Sequence, residues 1–190
     1  MGKLSSILSA LLVIAIQTVA LAQSTKAPES REKQNLEVLF RLVEKTVESA
    51  ADAMPADKYA FAPTNGEFKG VRIFADQIKH LAAANHILAA AALGEEPPAD
   101  AGDETGPDTI HTKPEIIAYL KGSFDHLHKA IEMLDAKDPQ VKSSPISPFQ
   151  GGTATRTGLI VEALLHSYDH YGQMVEYLRM NGVIPPASRN

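Results

Sequence analysis

The chain has no cysteine and no tryptophan, and only 6% of its 190 residues are aromatic. The lack of cysteine excludes a disulfide framework, thiolate metal ligands, a cysteine nucleophile and lipid attachment at a lipobox. Any transition-metal site must therefore be built from histidine and carboxylate. Positive charge is not in excess either, with 18 Lys and Arg against 23 Asp and Glu and a formal charge of −5. A mildly acidic chain is a poor fit to nucleic acid or an anionic membrane surface. Strand-like alternation, a Gly-rich phosphate loop and internal repeats are all missing. The one long apolar run, Leu4 to Ala20, is interrupted by Ser5, Ser6, Ser9, Gln17 and Thr18 and is marginal for a membrane span.

That run follows a short basic start, Met1-Gly-Lys3, and precedes small residues at Ala20-Leu-Ala22. The pattern predicts a secretory signal peptide over residues 1–22, cleaved after Ala22, and hence an exported, periplasmic or secreted protein with no stable membrane anchor. Losing Lys3 takes the formal charge from −5 to −6. Residues 23–31 are polar and rich in Ala, Pro and Ser, which predicts a disordered tether. Residues 32–190 are one domain's worth, enough to bury a core without covalent staples.

Within that domain the apolar residues recur with helical spacing. Leu36, Leu39, Phe40, Val43, Val47, Ala50 and Met54 predict a first helix near Glu32–Met54, stopped by Pro55. Val71, Phe74, Ile78, Leu81 and Leu88 predict a second near Val71–Leu93, with many alanines for close packing. Residues 94–111 hold Pro97-Pro98, Gly102, Gly106 and Pro107 and read as a surface connection long enough to set helix 3 parallel to helix 2. Helix 3 is expected near Pro114–Ala136, capped by Thr112, with Ile116, Leu120, Phe124, Leu127, Ile131 and Leu134 on its ridge. Residues 138–152 read as a Pro- and Ser-rich loop, and helix 4 runs near Thr155–Met180, ending at Asn181-Gly182. These faces imply an all-α four-helix bundle with a long crossover between helices 2 and 3, and no sheet.

The chemistry concentrates in helix 4, where His166 and His170 stand four residues apart on one face. Their Cβ atoms are then about 5–6 Å apart, a spacing one transition metal can bridge. The His-Glu-x-x-His protease pattern is absent, since Ser167, Tyr168 and Asp169 fill the middle. Two ligands do not complete a site, because catalytic zinc takes three protein ligands and keeps a position open. His80 lies on an inner stripe of helix 2, where a lone histidine is more often a hydrogen-bonded core residue than a ligand. His86 points about 120° away from His80. His126 and His128 are about 200° apart and read as surface or boundary residues.

The segments His166-Ser-Tyr-Asp-His170-Tyr-Gly-Gln173 and Tyr177-Leu-Arg-Met-Asn-Gly182-Val-Ile-Pro-Pro186-Ala-Ser188 resemble the DinB-like (DinB/YfiT) metal-binding helical bundles. Phe74-Ala-Asp-Gln-Ile-Lys-His80-Leu-Ala-Ala-Ala-Asn resembles that family's second helix, whose histidine is the third ligand. The likeness runs over roughly Glu32 to Ser188. It implies that His80, His166 and His170 coordinate a divalent metal, with zinc the first expectation and nickel, iron or copper the others. It also implies a crossover between helices 2 and 3, as already read from the loop. Family members include thiol S-transferases and hydrolases, so the likeness identifies a site better than a reaction.

The reading that uses most residues is an exported metal-dependent hydrolase, in which an open metal position activates water. Glu162, one turn before His166, and Gln173, three residues after His170, are the candidate catalytic groups; Asp76 stands before His80 as Glu162 does before His166. The alternatives are a thiol S-transferase-like enzyme and a non-catalytic metal or small-ligand binding protein. A small-molecule substrate or ligand is the expected partner, a homodimer is left open, and nucleic acid is excluded.

Overall fold

A computed structural model of the chain describes residues 30–66, 69–149 and 152–189. The predicted signal peptide and residues 23–29 of the predicted tether lie outside those residues. Ser30 already caps a helix, its hydroxyl accepting from Lys33 N at 3.1 Å, so the helix begins at Arg31, where the tether was expected to end.

Among the described residues four α-helices make the fold: α1 (Arg31–Ala53), α2 (Phe74–Leu93), α3 (Lys113–Glu132) and α4 (Arg156–Met180). The all-α bundle expected from the apolar spacing is observed. α1 buries Phe40, Val43, Val47 and Ala50 on one stripe and stops before Pro55. α2 starts later than expected, because residues 71–73 stay extended and Ile73 is the N-cap. It ends at Gly94 in the left-handed region (φ 78°), where Glu95 N returns to Ala90 O at 2.8 Å. α3 opens with reciprocal caps, Glu115 Oε2 accepting from Thr112 N at 2.9 Å, and buries Ile116, Leu120, Phe124, Leu127 and Ile131. It also ends four residues short of Ala136. Among the described residues no helix is long and apolar enough to cross a membrane.

Helix directions follow from the pairs that touch. Phe40 meets Phe124 edge-on at 6.4 Å, while Lys33 reaches Glu132 O at 2.9 Å, so α1 and α3 are antiparallel. Asn85 bonds Ser123, while Arg156 joins Ala92 O and Met133 O, which sets α2 and α3 parallel. Tyr177 bonds Arg72 O and Ser167 bonds Asn85, so α4 runs back against α2. The crossover over residues 94–112 makes the parallel pair possible, as its length predicted.

One expectation fails. The segment before α4, expected as a loop over residues 138–152, includes β1 (Gln140–Lys142), which pairs with β2 (Thr153–Thr155) in an antiparallel ribbon, Val141 opposite Ala154. Three-residue strands are too short to show alternation. The ribbon delivers Thr155 as the α4 cap, its Oγ1 accepting from Gly158 N at 3.0 Å.

α2 is the central helix, and 15 of its 20 residues are buried. A polar group buried there must be paired. Asn85, fully buried, donates to Ser123 Oγ at 3.3 Å and accepts from Ser167 Oγ at 3.0 Å, stitching α2 to α3 and α4. Asn85→Ala should leave both serines without this partner and cost about 1–3 kcal/mol. Urea unfolding reads the loss, and an unchanged midpoint would mean that the stitch contributes nothing.

Candidate metal centre

Antiparallel packing of α2 on α4 brings His80 against His166 and His170. The ring centroids are 5.1 Å (His80–His166), 4.7 Å (His80–His170) and 4.3 Å (His166–His170) apart. Three Nε2 atoms converge: His166 Nε2 lies 3.3 Å from His80 Nε2 and 3.0 Å from His170 Nε2. His80 and His170 are buried and His166 is half-buried. The three histidines implied by the resemblance are therefore together, and His86, His126 and His128 stand elsewhere.

The outer nitrogens are held differently. His80 Nδ1 donates to the Glu104 carbonyl at 2.9 Å, so its Nε2 carries a bare lone pair. Glu104 belongs to the crossover and adopts φ 74°, which aims that carbonyl inward. Gly106 (φ 74°) lets the crossover close down, since a Cβ there would sit 3.1 Å from Lys79 O. His170 Nδ1 lies 2.6 Å from Gln77 Nε2, and the same amide donates to Gln173 Oε1 at 2.7 Å. With Gln77 donating, the His170 proton sits on Nε2 and points at His166. Turning the Gln77 and Gln173 amides puts Oε1 of Gln77 opposite Nδ1 and frees Nε2, at the cost of the bond that Gln173 Nε2 donates to Asp169. His166 Nδ1 is buried with no partner among the described residues.

Burial, and then the neighbouring rings, hold these imidazoles neutral. The pKa of His166 is lowered to about 4, by burial first and by His80 next. That of His170 is lowered to about 3, by burial and then by His166 and His80. His80 is also lowered by burial, against the Glu104 hydrogen bond. The Arg72 guanidinium lowers all three and has no carboxylate partner among the described residues.

The donor set fits one divalent ion. Imidazole nitrogens at about 2.0–2.1 Å from a metal, 90–109° apart, stand about 2.9–3.4 Å from each other. The observed 3.0 and 3.3 Å fall in that range. Without a cation the three neutral rings are frustrated. With Gln77 donating to His170, a proton on His166 Nε2 opposes that of His170, and without it the lone pairs of His166 and His80 face each other. A single cation removes the conflict.

The comparisons agree with this fold. The DinB superfamily model matches residues 39–174. The chain belongs to the DinB superfamily. Among solved structures, the DinB-like protein YjoA from Bacillus subtilis is 17% identical, with TM-score 0.58 over 82% of this chain and 99% of that one. At that identity the likeness concerns the fold alone. No curated protein sequence matches this DinB chain.

The other candidates take different places. Glu162 makes no bond to His166; its Oε2 accepts from Ser147 Oγ at 2.7 Å, and burial raises its pKa. With His166 it lines an open, mainly apolar cleft of about 550 Å3 between Pro148 and Phe149 and the first half of α4. Gln173 is exposed and touches the histidines through Gln77, while its own amide donates to Asp169 at 2.7 Å. Asp76 is exposed in the first turn of α2, away from the histidine cluster's hydrogen bonds. Sequence reasoning missed Gln77, Glu104 and Ser147. Gln77 had a usable signal, lying three residues before His80 on the same helical face. A backbone carbonyl of a crossover loop has none.

The folded pKa values of His166 and His170 lie below 6.5, so the unfolded chain binds more protons under that pH. Stability of the metal-free protein is therefore whole above 6.5 and falls as pH drops towards about 4 and then 3. Each of the two rings contributes up to about 1.4 kcal/mol per pH unit. Urea midpoints of stripped protein between pH 7 and 4.5 check this, and a flat profile would contradict buried neutral imidazoles.

Proposed function

We propose that this DinB-superfamily chain is an exported metal-dependent hydrolase that holds one divalent ion through His80, His166 and His170 and acts on a small molecule. The convergence of three Nε2 atoms at 3.0 and 3.3 Å carries the reading. Three imidazoles leave coordination positions open, and they suit zinc ahead of nickel, iron or copper. A metal there supplies Lewis acidity, enough to make water a nucleophile near neutral pH.

The chain's own groups supply the rest. Glu104 O and Gln77 orient His80 and His170, as carbonyls and amides commonly do behind metal-bound imidazoles. Glu162 has one oxygen engaged by Ser147, leaving Oε1 to take or give a proton in the cleft. Its raised pKa brings that exchange closer to neutral pH. Phe149, Val161 and Leu165 favour an apolar body on the substrate, and the unpaired Arg72 favours a negative charge near the histidines.

Elemental analysis should find one tightly held equivalent of metal, lost in His80→Ala, His166→Ala and His170→Ala. Gln77→Leu should weaken binding about 10–100-fold. Full occupancy in His80→Ala would end the assignment. Turnover of small esters or amides that follows metal content and collapses in Glu162→Gln would support hydrolysis, whereas stoichiometric metal without turnover would favour the binding protein. Export rests on Lys3, the apolar run to Ala20 and the Ala20-Leu-Ala22 site. Protein recovered from the host envelope should begin at Gln23, and an intact Met1 would overturn it.

A further inference from the structure

The parallel packing of α2 on α3 creates a second meeting of histidines, separate from the first. His86 lies six residues beyond His80, about 9 Å along the helix and turned towards α3. Its Nδ1 is 3.1 Å from Nδ1 of His126, with ring centroids 5.3 Å apart. Both rings are half-buried. Burial brings the His86 pKa down to about 4, with His126 next among the causes, and burial also lowers that of His126, so both lone pairs are available at neutral pH.

Two further observations point to a cation. First, 3.1 Å falls within the about 2.9–3.4 Å that two imidazole ligands of one ion require. Second, His126 Nε2 faces the Glu95 carboxylate at 3.8 Å. A carboxylate behind an imidazole favours the proton on that side and bares Nδ1, the arrangement usual behind metal-bound histidine. Beside the pair, the Tyr119 ring is tilted at 44° with its centroid 5.1 Å from that of His86. Asp100, on the crossover, also bears electrostatically on His86 and Tyr119, and Lys129 is the cation nearest in effect to His126.

We propose that His86 and His126 form a second, weaker site for a borderline divalent transition metal, bridging α2 and α3. Glu95, 63% exposed, stands behind His126 as its outer partner. Two imidazole nitrogens suit copper, nickel or zinc and not magnesium or calcium. An ion there ties the parallel pair together near the end of α2. The site shares no ligand with the three-histidine cluster and does not rest on that cluster's assignment.

Equilibrium dialysis of the metal-free mature chain against rising zinc, with elemental analysis, tests it. Wild type should bind two equivalents, the second at higher free zinc. His86→Gln and His126→Gln should each bind one, and retention of the tighter equivalent shows that the variant is folded. His80→Ala should keep only the weaker equivalent. Wild-type binding that is unchanged in the His86→Gln/His126→Gln double variant, at one equivalent or at two, would overturn the proposal.

Discussion

The burial of α2 on nearly every side is the constraint on which the rest of this structure depends. A helix so placed needs small side chains for close approach, and Ala82, Ala83, Ala84, Ala89, Ala90 and Ala92 supply them. Such a helix tolerates polar residues only where a neighbour answers each one. Gln77 is answered by His170 and Gln173, His80 by Glu104 and His166, Asn85 by Ser123 and Ser167, and His86 by His126. Both histidine clusters are thus consequences of the same burial. One forms on the side of α2 facing α4 and the other on the side facing α3.

Surrounding α2 obliges α3 to run parallel to it, and that has an electrostatic consequence. The C-terminal carbonyl ends of two helices come together, which places two partial negative charges side by side. Arg156, at the start of α4, answers both by donating from Nε to Ala92 O at 2.7 Å and from Nη1 to Met133 O at 3.0 Å. The crossover that makes the parallel pair does more than connect. Its positive-φ residues Glu104 and Gly106 press it onto α2 and set one carbonyl against His80. A segment needed for topology also fixes a ring tautomer.

This division explains what could be read from sequence. Helix existence, order and the crossover were legible because apolar spacing and breakers such as Pro55, Gly94 and Pro114 report backbone directly. The shortened ends of α2 and α3 were not, since Val71 and Leu134 continue an apolar pattern outside the α-helical ladder, Leu134 N already turning to Ile131 O at 3.0 Å. The His166–His170 pair was legible from helical spacing alone. His80 needed a family resemblance, because convergence of two helices depends on their relative rotation. Spacing one turn before a histidine did not give the surroundings of Asp76 and Glu162, since Asp76 faces solvent and Glu162 accepts from Ser147. The His86–His126 pair depends on the register between two parallel helices, which no local pattern encodes.

Three neutral imidazoles pressed to 3.0 and 3.3 Å form an arrangement the chain would not adopt for stability alone. Each ring gives up hydration, His166 Nδ1 gains nothing in return, and the inner nitrogens cannot all be hydrogen-bonded at once. Such frustration persists only where the surrounding packing over-determines it. Here the alanine-rich wall of α2 and the Glu104 clamp supply that rigidity. Because the donors are already neutral and already at ligand spacing, little reorganisation opposes a cation's entry. Binding a cation to ligands held in this way would couple folding to metal occupancy. The same burial that makes α2 demanding to fold thus prepares its histidines to bind.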